Sequence, residues 1–357
     1  MARPMRASTK MRGADVLVVG AGPAGLVAAE TLVRGGARVT LVERHAFPGG
    51  KACGGGITSG AWAAAGLGGT GANSSVRYFD TLEVHTPLGR AEVRRAAPFL
   101  ATVDRRAWAA ARIEVLRDLG VDVRLGVRLT GLADKGATTD AGAIAAGRIV
   151  AADGSASRVR RLLDLPVGLV LRALQLRIGR ELDVASKLGC KNPAIWFSPR
   201  AFGSGYAWAF PSTQGLRLGC GVSSRSPAAS RLKPAFLAWL DGLGWDPARG
   251  RLESGTIACG YAGHRFGRVS LAGDAAGLAS PVTGEGIAAA LASGAEVARE
   301  ILEPGYSSTI IPRLAARHRR THDALLFPAL STPALVLAPL LLRVPRVREA
   351  AFGRYVL

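Results

Sequence analysis

The sequence predicts an α/β fold in which an antiparallel-sheet domain is inserted between two parts of a parallel-sheet domain, with a helical tail behind them. Three observations carry that reading. Asp15–Glu43 runs strand, glycine turn, helix, strand. From about Leu169 to Thr256 the pattern changes to short alternating apolar runs. Val269–Ala272 then restores a buried apolar strand, ahead of the alanine-rich segment Gly286–Leu302.

The first stretch is the most explicit. Val16–Val19 is an apolar run of the length and composition of a buried parallel strand. Gly20-Ala21-Gly22-Pro23-Ala24-Gly25 follows as a G-x-G-x-x-G turn. Gly20 permits the tight turn, Gly22 lets a pyrophosphate approach the backbone, and Gly25 lets the next helix sit close on the strand. That helix, about Ala24–Arg34, aims its positive end at the pyrophosphate and stops at Gly35-Gly36. Val39–Val42 is the second strand, and Glu43 at its end has the acceptor oxygens that ribose hydroxyls need. Strand, turn, helix, strand and acid in that order predict a Rossmann-like dinucleotide-binding domain.

Further on, Arg44–Ile57 is a glycine-rich loop holding Cys53. Thr81–His85 and Ala91–Arg95 read as a hairpin, and Asp104–Leu119 has helical spacing of Trp108, Ile113, Leu116 and Leu119. Val121–Leu125 and Arg148–Ala151 are strands, the latter ending at Asp153-Gly154. The inserted sheet takes Ala173–Ile178, Ala194–Phe197, Tyr206–Phe210 and Leu216–Val222, with a short helix at Pro234–Leu240. The resulting division is a disordered basic tail at 1–13, nucleotide-binding parts at 14–168 and 263–305, a substrate domain at 169–262 and a helical segment at 306–357.

Composition narrows the function classes. The chain has 357 residues, 48% of them apolar, which suits a globular protein with a sizeable core. Its formal net charge of +20 rests on 40 arginines and only 6 lysines. Those charges are dispersed, and no aromatic-basic interleaving offers a base-stacking platform, so nucleic acid is not the expected partner. An anionic membrane surface is. Cys53, Cys190, Cys220 and Cys259 form no C-x-x-C pair, so neither a metal centre nor a disulfide framework is expected. The N-terminal residues lack the apolar core of a secretory signal, which points to a cytoplasmic protein. Ala324–Leu342 holds 19 residues without a charge, but Pro328, Pro333 and Pro339 argue against one straight helix. Short helices lying on the protein are the preferred reading, with peripheral attachment to the inner face of the cell membrane as an extension of it.

Four motifs together resemble the FAD-dependent geranylgeranyl reductase family, within the flavoproteins of p-hydroxybenzoate hydroxylase-like fold. The resemblance covers about Asp15 to Glu303. It rests on the glycine turn with Glu43, on Lys51-Ala52-Cys53-Gly54-Gly55-Gly56, on Asp153-Gly154, and on Leu271–Gly277 continued by Pro281–Ile287. The last implies FAD rather than NAD. The resemblance implies that Asp274, with Gly273, holds the ribityl chain and that the amides of Gly284–Ile287, those of Gly286 and Ile287 included, run along the flavin ring. It implies that Arg105 contacts the flavin and that Lys51, Cys53 and Gly54 lie beside it. Pro23, Ala24 and Arg44 complete the expected cofactor contacts.

Tyr206-Ala207-Trp208-Ala209-Phe210-Pro211 resembles that family's Y-x-W-x-F-P motif, which implies a substrate cavity walled by Tyr206, Trp208 and Phe210. Period-two spacing puts the three on one strand face. Two positions depart from the family: Ser212 stands where a lysine often follows the Phe-Pro, and Gly203 stands where a proline often precedes the tyrosine. The implied reaction is reduction of isolated C=C bonds in a prenyl lipid. Electrons would come from NAD(P)H or reduced ferredoxin; no second G-x-G-x-x-G marks a separate nicotinamide domain. Cys53 and Tyr206 are candidates for the proton donor, with flavin-bound water as a third, and Trp208 for cation stabilisation. A monooxygenase or halogenase would share the frame, and a flavin-binding prenyl-lipid escort would share the site without turnover.

Overall fold

The computed structural model describes residues 14–67, 76–179 and 190–325. Strand β1 (Ala14–Val19) lies between β2 (Val39–Glu43) and β11 (Gly142–Ala151), parallel to both. The sheet continues through β8 (Asp122–Leu125) on one side and β18 (Val269–Leu271) and β17 (Arg265–Phe266) on the other. Leu17, Val18, Leu41, Ile149 and Val150 are fully buried, as expected for parallel strands covered on both faces. The first half of β11 instead pairs antiparallel with β10 (Gly136–Thr139), which pairs with β9 (Leu129–Ala133).

Helix α1 (Pro23–Arg34) lies against α2 (Arg105–Asp118) and α4 (Ile287–Leu302). The α1–α4 approach is close because Gly294 faces α1: a Cβ there would stand 2.3 Å from the Ala24 carbonyl oxygen. Asp104 caps α2 by accepting from the amides of Arg106 and Ala107, so the helix expected from Asp104 begins one residue later, at Arg105. After α4, Glu296 accepts from the hydroxyls of Tyr306 and Ser308, which sets the turn into α5 (Ile310–Leu325).

The second sheet runs β16 (Arg251–Ala258), β12 (Val170–Ile178), β15 (Gly215–Ser223), β14 (Tyr206–Ser212), β13 (Ala194–Trp196), β5 (Thr81–Thr86), β6 (Gly89–Arg94). Two features correct the reading from sequence. The hairpin at residues 81–94, expected in the nucleotide-binding part, belongs to this sheet, and its β5 pairs parallel with β13. Glu83 N donates to Pro193 O and Phe197 N to His85 O, closing an edge between segments about a hundred residues apart that no local pattern relates. Strand β16 carries no sequence signal of its own, because its residues alternate between exposed and half-buried at the sheet edge and few are apolar.

Ala207 and Ala209 turn to one face of β14, into a second core with Leu176, Leu216, Leu218 and Phe236 beneath α3 (Leu232–Gly242). Tyr206, Trp208 and Phe210 therefore face the opposite way, as period two requires. A small third sheet, β3 (Gly56–Thr58), β7 (Leu100–Val103) and β4 (Val76–Phe79), joins the two halves. Thr102 of β7 donates its hydroxyl to Pro211 O at 2.6 Å.

The basic stretch 1–13 and the uncharged stretch beyond residue 325 lie outside the described residues. Among the described residues no helix is long and apolar enough to cross a membrane.

Phe236 is 0% exposed and anchors α3 to the second sheet. Phe236→Ala is expected to destabilise the fold by about 3–5 kcal/mol, from lost burial plus the cavity left behind. Equilibrium denaturant unfolding of the FAD-loaded protein measures it.

Candidate active site

The glycine turn after β1 holds its shape by close contacts. Gly20 has φ +103°, and a Cβ there would stand 2.4 Å from the Ala152 carbonyl oxygen. At Gly25 a Cβ would stand 1.9 Å from Gly20 O, so only glycine lets α1 start this near the strand. Gly22 differs: the nearest atom to its would-be Cβ is 4.0 Å away, and it borders an open cleft. It is the N-cap of α1, where no side chain caps the helix and no acidic residue occupies the first turn. The positive end of α1 is thus left for a ligand.

Glu43 sits at the end of β2 and accepts from Ala21 N at 2.8 Å and His45 N at 2.9 Å. Its carboxylate ties the turn to the second strand, and each oxygen keeps a further lone pair for a hydroxyl donor. Arg44 is exposed and donates to His45 Nε2 at 3.0 Å, away from the cleft.

Asp153 requires a correction. Its Oδ2 accepts from Arg158 N at 2.7 Å and Val159 N at 3.2 Å, the first amides of the short helix Arg158–Leu162 that Ser157 caps, and Asp153 is not among the residues that line the cleft. Burial raises its pKa, and hydrogen bonds from Ser157 and the Val159 and Arg158 amides oppose that rise. Gly154, the next residue, borders the cleft. Gly273 is likewise structural: it donates its N–H to Ser293 Oγ at 2.9 Å and seats between Ala24 and Ala290.

The cleft opens into a cavity of about 430 Å³ between the two main sheets. Gly22, Pro23 and Ala24 border one side; Tyr206, Trp208 and Phe210 border the other. The loop Lys51–Gly56 runs along it, and Leu82, Phe99, Leu100, Ile195 and Phe197 make its outer part apolar. Aromatic wall and loop touch: a Cβ on Gly54 would meet Phe210 Cδ2 at 2.7 Å and Trp208 Nε1 at 3.3 Å. Tyr206 and Trp208 rings stand 5.9 Å apart.

Lys51 Nζ pairs with Asp274 Oδ2 at 2.5 Å, and Arg105 donates to Lys51 O at 3.4 Å. Cys53 Sγ accepts from Gly55 N at 3.4 Å. Gly284, with φ +63°, lies near the Tyr206 hydroxyl, while Gly286 abuts Asp274 and Ile287 begins α4 on the cavity wall. The structure therefore gathers Gly22, Pro23, Ala24, Lys51, Cys53, Gly54, Arg105, Gly154, Asp274, Gly284, Gly286 and Ile287 around one cavity. Gly20, Gly25, Glu43, Arg44, Asp153 and Gly273 do not line it, and all but Arg44 shape its frame.

Two residues, Arg217 and Thr58, lie outside every motif read from sequence, and a third, Glu285, lies inside the Pro281–Ile287 motif with no role assigned to its side chain. Arg217 is 6% exposed and donates to Val103 O at 2.8 Å and Gly54 O at 3.4 Å, beneath the loop. Burial lowers its pKa, while Cys53 and Asp104 favour its charge. The available signal was a charge inside the alternating run Leu216–Val222, opposite Phe210 in register. Glu285 and Thr58 line the cavity and bond each other, Thr58 Oγ1 donating to Glu285 Oε1 at 3.2 Å. They are more than two hundred residues apart in sequence, and nothing local links them.

A family model described as FAD dependent oxidoreductase matches residues 15–155. The protein is an FAD-dependent oxidoreductase of α/β fold. It is 30% identical over 345 residues to a menaquinone reductase of Mycolicibacterium smegmatis, covering 85% of this chain and 81% of that protein. It is 31% identical over 320 residues to digeranylgeranylglycerophospholipid reductase 1 of Methanopyrus kandleri, covering 82% of each. The solved structure of a geranylgeranyl bacteriochlorophyll reductase-like protein from Thermoplasma acidophilum shares the fold, with TM-score 0.69 at 20% identity over 91% of this chain and 86% of that one. This chain belongs to the FAD-dependent geranylgeranyl reductase family.

The cleft fits FAD. Its uncapped helix end suits a pyrophosphate, and Gly22 leaves open the space that a side chain would fill. Gly22→Val is expected to fold, since its Cβ meets nothing closer than 4.0 Å, yet to purify without flavin. Circular dichroism checks the fold, and flavin absorbance of the native protein and of the supernatant after denaturation checks the cofactor; bound FAD in the variant contradicts the assignment.

Proposed function

We propose that this protein reduces isolated C=C bonds of a prenyl lipid. The observation that carries the reading is the apolar cavity walled by Tyr206, Trp208 and Phe210 and faced by the Lys51–Gly56 loop and the Gly22–Ala24 turn. Relatives named for reducing a quinone and a digeranylgeranyl phospholipid support it, since both kinds of lipid carry prenyl chains. Reduced FAD, when bound, supplies a hydride from N5.

The chain's own residues supply placement and charge. FAD would be held with its pyrophosphate at the helix end Gly22–Ala24, its ribityl hydroxyls on Asp274 and its ring edge along Gly284–Ile287. Lys51, held by Asp274, and Arg105 put positive charge near the cofactor end of the cavity. The outer wall of Leu82, Phe99, Leu100, Ile195 and Phe197 excludes water around an apolar chain. An unconjugated alkene has no conjugated group to polarise it, and protonation to a tertiary cation is the proposed route. The π faces of Tyr206 and Trp208 stabilise such a charge in a dry site. NAD(P)H or reduced ferredoxin is the proposed electron source, and an anionic membrane surface the proposed place of encounter with the lipid.

Anaerobic, dithionite-reduced protein mixed with geranylgeranyl diphosphate or a polyprenyl quinone is expected to yield product heavier by two hydrogens per bond reduced, read by mass spectrometry. Trp208→Ala is expected to lose turnover while keeping FAD. Product that forms only with oxygen and gains an oxygen atom makes the protein a monooxygenase instead. For the membrane, the protein is expected to sediment with anionic vesicles at low salt and to be released by carbonate washing. No sedimentation removes the membrane from the proposal, and resistance to carbonate replaces surface attachment with insertion.

A further inference from the structure

Prenyl reduction needs a proton as well as a hydride, and the charged and titratable groups around the cavity narrow its source. Those lining it are Lys51, Cys53, Arg105, Tyr206, Asp274 and Glu285. Lys51 and Asp274 are committed to each other at 2.5 Å, and Arg105 is a permanent cation. The Tyr206 hydroxyl donates to Thr283 O, so its proton is engaged with the backbone. Burial, Glu285 and Cys53 all push the Tyr206 pKa upward, away from proton transfer near neutrality. Cys53 accepts from Gly55 N with its sulfur in a loop whose glycines are crowded by Phe210 and Arg217.

Glu285 is placed differently. It sits in the turn just before α4, held by Ser280 N donating to its carbonyl at 2.9 Å and its own N donating to Thr283 Oγ1 at 3.3 Å. Its Oε1 accepts from Thr58, which lines the same cavity. The geometry points to Glu285 as the proton donor of the reduction, an assignment that rests on the prenyl-lipid reading above.

The groups that face it set its proton affinity. Thr58 on β3 bonds its carboxylate, and Arg317 on α5 attracts it; both favour the charged form. Tyr206 on β14 lies close enough for the carboxylate to bear on its own titration, and Asp274 lies beside the adjoining Gly286. Burial is the largest influence and raises the Glu285 pKa from its ordinary value. The native carboxyl therefore keeps its proton at pH values where the unfolded chain has lost it. Stability from this group is present at low pH and falls as pH rises through the folded value. Proton donation has the same alkaline limb.

The balance closes with reduced FAD as the named reductant. The π electrons of the alkene form a C–H bond to the carboxyl proton as the Glu285 O–H bond breaks, leaving a tertiary cation beside Tyr206 and Trp208. That cation is quenched by hydride. The substrate gains two electrons and two hydrogens, FAD is left oxidised by two electrons, and Glu285 recovers a proton from water.

The test uses the FAD-loaded protein, with Glu285→Gln and Thr58→Val beside wild type. The probe is geranylgeranyl diphosphate or a polyprenyl quinone, whichever wild type reduces, scored by product mass. Glu285→Gln is expected to retain FAD and lose product formation by about 10²–10⁴-fold, the usual worth of a general acid. Infrared difference spectra of the oxidised protein over pH, without substrate, are expected to show a protonated carboxyl band that this variant lacks. Thr58→Val removes a bond to the charged form, so band and alkaline limb are both expected to move to higher pH. Wild-type rates in Glu285→Gln overturn the assignment while prenyl reduction stands. An alkaline limb unmoved by Thr58→Val overturns it too, even if Glu285→Gln fails to fold. If wild type reduces neither probe, the assignment and the prenyl-lipid reading fall together.

Discussion

The structure depends on how closely α1 can approach its neighbours. Gly25 lets the helix begin against the Gly20 carbonyl, and Gly294 lets α4 cross over Ala24. A methyl at either place would overlap backbone, which no side-chain rotation relieves. Because α1 is wedged there, its uncapped N-terminus points into the cleft. Because α4 packs against α1, the turn that precedes it brings Glu285 and Gly286 to the same cleft, where Asp274 also lies. One steric constraint thus positions groups drawn from both ends of the described chain.

Buried charge is the second organising feature. Arg217 takes a cation out of water beneath the Lys51–Gly56 loop, and carbonyls of Val103 and Gly54 together with Asp104 compensate it. An unpaired cation there would be costly, so the guanidinium is a reason for the loop and β7 to stay in register. Lys51 and Asp274 form a second tie across the cavity, between residues 223 apart in sequence. Glu285 is the remaining carboxyl of the cavity wall, and burial leaves it inclined to hold a proton. Paired charges at the cofactor end and an apolar outer wall suit a ligand that is polar at one end and hydrocarbon at the other.

Much of this was legible in the chain itself. The strand–turn–helix–strand of Asp15–Glu43 and the two faces of β14 are local patterns, set by steric and periodic rules that act over a few residues. The Gly22–Gly25 turn, the Lys51–Gly56 loop and the Tyr206–Phe210 strand are recognisable in the sequence because each carries its chemistry in a short motif. Asp153 shows the limit of that method. Its motif was visible, but whether the carboxylate faced the cleft or the Arg158–Leu162 amides depended on a helix that the motif does not describe.

What the sequence by itself determined is the kind of elements present, the dinucleotide turn and the aromatic face of one strand, since each follows from neighbouring residues. The tertiary structure alone decided that residues 81–94 extend the second sheet, that Arg217 lies under the loop, and that Thr58 meets Glu285 at the cavity. Those pairings join segments from about a hundred to over two hundred residues apart. Their partners are chosen by open sheet edges, by desolvation of charge and by the space left between packed helices. Those quantities exist only once the chain has closed on itself.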